Sequence, residues 1–173
     1  HRHELRCSPA AVRGDGARLG QVISNLLTNA VKYTPVGGCI TVTVDTAGSE
    51  AVLRVEDTGI GIPQELLPRI FDLFVQSDRG LNRPEGGLGL GLTIVHSIVT
   101  AHGGHVEALS RGAGAGAAIV VRLPLAAPSA GDAEARRAAA LPLARQRVLL
   151  VDDNVDARES VAALLRIAGH EVH

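Results

Sequence analysis

The sequence predicts an α+β fold, a two-layer sandwich with helices on a mixed, mainly antiparallel sheet. Three observations carry that expectation. A long stretch of 3.6-residue apolar periodicity lies near the start, two pairs of strand-like stretches are each joined by glycines, and the order runs helix, hairpin, helix, hairpin.

Residues 1–8 read as a short strand. From Ala17 to Thr34 the apolar positions Leu19, Val22, Ile23, Leu26, Leu27, Ala30 and Val31 follow the spacing of an amphipathic helix. Asp15 is its expected N-cap, and Pro35 with Gly37 and Gly38 ends it. Ile40, Val42 and Val44 alternate with Thr41, Thr43 and Asp45, and Val52, Leu53 and Val55 form the hairpin partner through a turn at Gly48. The run Asp57-Thr58-Gly59-Ile60-Gly61-Ile62-Pro63 then reads as a strand end entering a glycine turn. A short helix is expected over Gln64–Phe74, a mobile loop over 75–87, and a helix over Leu88–Ala101 with Leu92, Val95, Ile98 and Val99 facing inward. Strands at 104–110 and 117–123 complete this part, joined through Gly112, Gly114 and Gly116.

Composition bounds the rest. The 173 residues suit one ordinary domain, expected at 1–125, plus part of another. An Ala- and Pro-bearing linker is expected at 126–146. At 147–173 the run Val148–Val151 reads as a buried parallel strand closed by Asp152 and Asp153, with a helix over 155–168, a C-cap at Gly169 and a new strand from Glu171. The net charge of -1 offers no electrostatic basis for a nucleic-acid or anionic-membrane partner. Cys7 and Cys39 match neither a disulfide framework nor a zinc site. No apolar run approaches the roughly 20 residues that cross a bilayer. A chain opening on His1 with no Met reads as a cytoplasmic piece of something longer, whose own membrane attachment stays open.

Rarity points to the chemistry. Of 17 basic residues only Lys32 is lysine, Tyr33 beside it is the single tyrosine, and two of the four asparagines, Asn25 and Asn29, lie just upstream. Asn25, Asn29 and Lys32, at i, i+4 and i+7, form a stripe expected opposite the apolar one. An Asn oxygen suits Mg²⁺, Lys32 suits phosphate, and the Tyr33 ring suits a flat heterocycle. A merely solvated face would use the Arg, Glu and Asp that this chain otherwise favours. Asp57 at a strand end suits an exocyclic amine, and Gly59 and Gly61 let backbone approach a planar ring, although Asp and Gly also crowd ordinary turns. Gly86, Gly87, Gly89 and Gly91 around Leu88, Leu90 and Leu92 leave N–H groups free for phosphate at a helix start, with Arg79 and Arg83 upstream able to reach a terminal phosphate. Flexible glycine linkage is the plain alternative there.

Taken in order, these elements resemble the ATP-binding catalytic domain of sensor histidine kinases, of the gyrase/heat-shock chaperone/mismatch-repair ATPase superfamily. Gln21–Pro35 looks like the family's N box, Asp57–Gly61 its G1 box, Phe71–Phe74 its F box and Gly87–Gly91 its G2 box. The resemblance covers about residues 1–125 and implies a Bergerat-type fold with ATP and Mg²⁺ as ligands. It implies that Asn29 ligates Mg²⁺, with Asn25 and Lys32 near the phosphates, that Tyr33 flanks the adenine and that Asp57 reads its amine. Gly59, Gly61 and Ile62 would line the base, and Gly87, Leu88, Gly89, Leu90, Gly91 and Leu92 the phosphates. Residues 75–87 would form a lid anchored by Phe71 and Phe74. Leu88 departs from the commoner Thr, which removes one hydroxyl contact.

Superfamily hydrolases carry a Glu four residues before the metal-binding Asn. Here that position is Asn25, an amide that takes no proton near neutral pH. The resemblance therefore favours phosphoryl transfer to a histidine on a helical hairpin domain, relayed to an Asp of a receiver domain or response regulator. None of the seven His lies in a matching acceptor motif; His3-Glu4-Leu5-Arg6 is followed by Cys7-Ser8-Pro9, which forbids a long helix. His102 and His105, around Gly103 and Gly104, read as a helix stop rather than a metal pair. Arg147–Asn154 resembles the first strand of a receiver, with Asp152 and Asp153 at an incomplete Mg²⁺ site. The alternatives are an ATP-holding sensor module without transfer and a superfamily ATP hydrolase.

Overall fold

The structure is a computed structural model that describes residues 1–73, 75, 90–126, 146–151, 158, 161–162, 165–166 and 169–173. Phe74, the expected lid apart from Val75, the linker over 127–145, Asp152 and Asp153 lie outside the described residues. The chain divides into two units, His1–Leu125 and Ala126–His173.

In the first unit the elements are β1 (Arg2–Cys7), α1 (Gly16–Tyr33), β2 (Cys39–Ala47), β3 (Glu50–Asp57), a 3₁₀ turn (Leu67–Arg69), α2 (Gly91–Ala101), β4 (His105–Leu109) and β5 (Ala117–Pro124). They build a five-stranded sheet in the order β1-β2-β3-β5-β4. β1 runs parallel to β2, from Arg2 opposite Cys39 to Cys7 opposite Val44, and the other pairs are antiparallel. A parallel pair needs a crossover, and α1 supplies it. The α+β expectation holds.

α1 starts where its cap dictates. Asp15 Oδ1 accepts from the Ala17 and Arg18 N–H groups at 2.9 and 3.1 Å. It stops at Thr34, extended ahead of Pro35 at φ −95° and ψ 127°. The buried Thr34 hydroxyl donates to the Ala30 carbonyl at 2.6 Å.

The core lies between the helices and one face of the sheet. Val22, Leu26, Leu27, Ala30 and Val31 of α1 are buried, as are Val95, Ile98 and Val99 of α2 and Ile40, Val42, Val55 and Val121 of the sheet. The opposite sheet face carries charge: Arg122 lies 3.6 Å from Glu50 and 3.9 Å from Glu107, and Arg54 lies 3.0 Å from Glu56. Val120 is nonetheless buried on that face, in register with Arg54 and Glu107. The aliphatic stems of such neighbours shield a small side chain.

Four expectations need correction. Ile23 belongs to the apolar stripe by spacing yet is 43% exposed, because the stripe is wider than the strip that α2 and the sheet cover. The helix expected over Gln64–Phe74 is only a 3₁₀ turn flanked by turns within its described part. Pro68 has no N–H to return to residue 64, and i to i+3 bonds such as Arg69 N–H to Leu66 at 2.9 Å and Asp72 N–H to Arg69 at 2.9 Å take over. α2 is described from Gly91, with Leu90 at its N-cap.

The fourth correction concerns the second unit. β6 (Arg147–Val148) pairs in parallel with β7 (Glu171–Val172), and residues 158, 161–162 and 165–166 are helical. The expected buried strand Val148–Val151 shrinks to two residues, with Leu149 and Val151 77% and 83% exposed. Among the described residues the pair has two strands only, and no third strand covers those side chains. The helix stop at Gly169 is as expected: His170 N–H reaches the Leu165 carbonyl at 3.0 Å and Gly169 N–H the Arg166 carbonyl at 3.0 Å.

Candidate functional site

A cavity of about 120 Å³ opens between α1, the ends of β3 and β5, and the start of α2. An apolar cavity of about 150 Å³ accepts one aromatic ring, so the size class is right for a flat heterocycle. α1 contributes Leu26, Asn29, Ala30 and Tyr33; the sheet contributes Val55, Asp57, Ala117 and Ile119. Ile60, Gly61, Ile62 and Pro63 close one side, backed by Leu66, Ile70 and Val75, while Gly91 and Leu92 come from α2.

Asp57 is the one carboxylate in this lining. Burial pushes its carboxyl up from the ordinary aspartate range, against backbone hydrogen bonds from Gly59 and Ala117 that favour the charged form. Its Oδ1 accepts from the Gly59 N–H at 2.8 Å, which fixes the carboxylate's direction. A single oriented acceptor in an apolar pocket is a device for reading one donor edge of a ring.

The glycines are there for space. A methyl on Gly59 would strike the Tyr33 carbonyl, and Gly61, at φ +70°, faces the Gly112 carbonyl just as tightly. The turn is laced to its neighbours: Ile60 N–H donates to the Tyr33 carbonyl at 3.0 Å, Gly114 N–H to the Ile60 carbonyl at 2.6 Å, and Gly116 N–H to the Gly59 carbonyl at 3.1 Å. Thr58 ties it to β2, where its hydroxyl accepts from the Cys39 N–H at 2.9 Å.

The asparagine stripe borders the apolar stripe instead of opposing it. Asn29 follows Leu26 by three residues, about 300° of helical turn, which places it within about 60° of a core side chain. It consequently faces the cavity, and its amide is the nearest group to Gly91, 3.6 Å from where a Cβ there would stand. Asn25 Nδ2 is buried without a hydrogen-bond partner among the described residues. Lys32 does not line the cavity; its Nζ lies 5.2 Å from the Tyr33 ring centroid. Such a cation–π contact on a surface holds about 0.5–1 kcal/mol, little enough for a phosphate to replace.

Phe71 meets His96 of α2 at 5.8 Å between ring centroids, and the Thr93 hydroxyl donates to the Asp72 carbonyl at 3.0 Å. The described part of the F-box segment is thus docked on α2. Both ring nitrogens of His102 are engaged by backbone: Nδ1 with the Ile98 carbonyl at 2.7 Å, and Nε2 with the Asp15 N–H at 3.0 Å. That ring ties the start of α1 to the end of α2.

Asn29, Tyr33, Asp57, Gly61, Ile62, Gly91 and Leu92 therefore share one cavity. Gly59 and Leu90 adjoin it in the chain, Asn25 lies one turn up α1, and Arg79, Arg83, Gly87, Leu88 and Gly89 lie outside the described residues. Sequence reasoning missed the apolar wall of Leu66 and Ile70, and it missed Ser110, whose hydroxyl binds the turn from behind. A lone serine ahead of three spaced glycines was the available signal.

The family of histidine kinase-, DNA gyrase B- and HSP90-like ATPases matches residues 14–127. The sensor histidine kinase RcsC of Escherichia coli K12 is 44% identical over 117 residues, 68% of this chain and 12% of the relative. The solved structure of the mycobacterial sensor histidine kinase MprB is 34% identical with a TM-score of 0.66, covering 72% of this chain and 83% of that one. Full-length ShkA, solved in complex with AMPPNP, is 29% identical with a TM-score of 0.61, covering 99% of this chain and 35% of that one. The chain thus spans a small part of RcsC and about a third of ShkA. It belongs to the histidine kinase-, DNA gyrase B- and HSP90-like ATPase family, and it carries the ATP-binding catalytic domain of the sensor histidine kinase kind.

Proposed function

We propose that this chain is the catalytic part of a hybrid sensor histidine kinase, holding ATP with Mg²⁺ so that its γ-phosphate passes to a histidine on a helical hairpin domain. The observation that carries the reading is Asp57, a half-buried carboxylate whose charge burial disfavours, held by the Gly59 N–H in a mainly apolar cavity. An adenine exocyclic amine adds a further donor to that carboxylate, whose Oδ1 already accepts from Gly59, while Tyr33, Ile60 and Ile62 flank the ring.

The triphosphate then runs toward α1 and the start of α2. The residues there fit a magnesium-bound phosphate: Asn29 presents an amide at Gly91, and Asn25 has a buried amide nitrogen without partner among the described residues. In this reading Asn29 holds Mg²⁺ through its oxygen, Asn25 and Lys32 meet phosphate oxygens, and Arg79, Arg83 and the Gly87–Leu92 segment close over them. When bound, Mg²⁺ neutralises phosphate charge. Asn25 cannot accept a proton from water, so the attacking group comes from the hairpin imidazole. Residues 147–173 form the opening of a receiver in this reading, with Asp152 and Asp153 as its paired carboxylates.

The test is titration of the chain with labelled ATP and Mg²⁺, followed by addition of a separate histidine-bearing hairpin domain. Saturable binding and phosphohistidine on the hairpin are expected. A chain that stays empty overturns the proposal; one that binds ATP but transfers nothing is a sensor module. Steady ATP turnover by the chain alone marks a hydrolase.

A further inference from the structure

Ser110 follows β4 and lies outside the cavity lining, yet it holds the turn that forms the cavity's wall. Its Oγ accepts from the Ile62 N–H at 3.0 Å and from the Gly112 N–H at 3.2 Å, and its O–H donates to the Gly116 carbonyl at 2.7 Å. A hydroxyl offers one donor and two acceptor sites, so every valence is used. The Ser110 carbonyl adds a fourth link, accepting from Gln64 Nε2 at 2.9 Å. One residue thus grips the Asp57–Gln64 segment at Ile62 and at Gln64, and fixes the Gly112–Gly116 turn against which Gly59 and Ile60 are hydrogen-bonded.

We propose that Ser110 is the positioning residue that sets the base selectivity of the cleft. The inference rests on the reading of the cavity as an adenine site, and it deepens that reading. Asp57 reads the base edge with one oxygen oriented by Gly59, and the opposite wall is Ile60–Pro63. Distinguishing an exocyclic amine from a carbonyl requires that wall to hold the ring in place to within about 0.5 Å. Asp57 sits at the end of β3 and is fixed by the sheet, whereas residues 60–63 belong to no helix or strand and take their position from the bonds to Ser110, Gly112–Gly116 and Tyr33. An alanine at 110 leaves two N–H groups and one carbonyl to find water, and frees the wall while Asp57 stays in place.

The experiment compares ADP and GDP binding, with Mg²⁺, to the 173-residue chain and to Ser110→Ala and Ser110→Thr, alongside amide exchange at Ile62. The parent chain is expected to prefer ADP. Ser110→Ala should lower the ADP-to-GDP preference about tenfold and speed Ile62 exchange, while Ser110→Thr, which keeps the hydroxyl, should stay near the parent on both. An Ala variant that keeps the parent's ADP affinity and preference overturns the proposal, as does a Thr variant as impaired as Ala. Should the Ala variant not fold, Ser110→Cys replaces it, with a sulfur that accepts only weakly; an unchanged preference there is equally fatal. If the unsubstituted chain binds neither nucleotide, the adenine reading itself falls, and this inference with it.

Discussion

On the sheet side of the cleft, polar groups are already partnered: Asp57 with Gly59, Gly59 with Gly116, Ile60 with Tyr33 and Gly114, Ile62 with Ser110. On the α1 side, Asn25 Nδ2 has no partner among the described residues and Lys32 rests on a neighbouring ring. One wall is assembled by the fold, and in the proposed reading the other is left for a ligand to satisfy. Pre-formed bonds give the first wall selectivity at little ordering cost on binding. In the proposed reading the second wall attracts an anion, because a buried polar group without a partner is costly.

That contrast can be broken from either side. The largest effect is expected from Gly59→Ala, whose methyl meets the Tyr33 carbonyl. It should cost about 3 kcal/mol of stability in chemical denaturation and abolish nucleotide binding, since it separates α1 from the turn. Asn29→Ala should next weaken Mg²⁺-dependent ATP binding by about 100-fold or more, the scale of one charge-assisted contact, with no comparable loss of stability. Equal losses in binding and stability would make Asn29 a structural residue of the built wall.

Asp57→Asn sharpens the comparison because it keeps an acceptor for Gly59 while removing the charge. Adenine nucleotides should weaken about 10- to 100-fold in titration calorimetry and guanine nucleotides hardly at all. The same change has a pH signature. Burial raises the Asp57 pKa, so the folded chain holds that proton to higher pH than the unfolded chain. Its contribution to stability is full below the ordinary value of 3.8 and is lost as pH rises through the raised folded value. The variant should lack that decline, so its stability relative to the parent should rise with pH across this window. His102→Ala is the smallest, about 1–2 kcal/mol, for two backbone partners left to water at one exposed and one half-buried site. Binding should then fall only as far as the fold does.

Much of this was legible because the physics was local. Asp15 before an apolar-periodic run gave the start of α1, Pro35 its end, alternation gave β2, and apolar runs beyond glycine turns gave β3 and β5. Pro68 was equally visible, and its missing N–H already argued against the helix expected at Gln64–Phe74. The two-unit division at Leu125 follows a visible change in composition. Less legible was anything that required two distant segments. Ile23 and Val22 are both apolar and adjacent, and only the reach of α2 and the sheet makes Val22 buried and Ile23 exposed. Likewise, the asparagine stripe was expected opposite the apolar face, and it borders that face.

By itself the sequence determined which residue types were available for an adenine nucleotide and in what order: asparagines and a lysine on a helix, then an aspartate in a glycine turn, then glycines opening a second helix. Within each of those signals the residues lie a few positions apart, where spacing converts directly into geometry. Only the tertiary structure decided that Asn29 and Asp57 face one cavity, that Lys32 turns aside to Tyr33, and that Ser110 holds the turn from beyond the end of β4. Those outcomes depend on packing between segments tens of residues apart, where no periodicity in the chain records who meets whom.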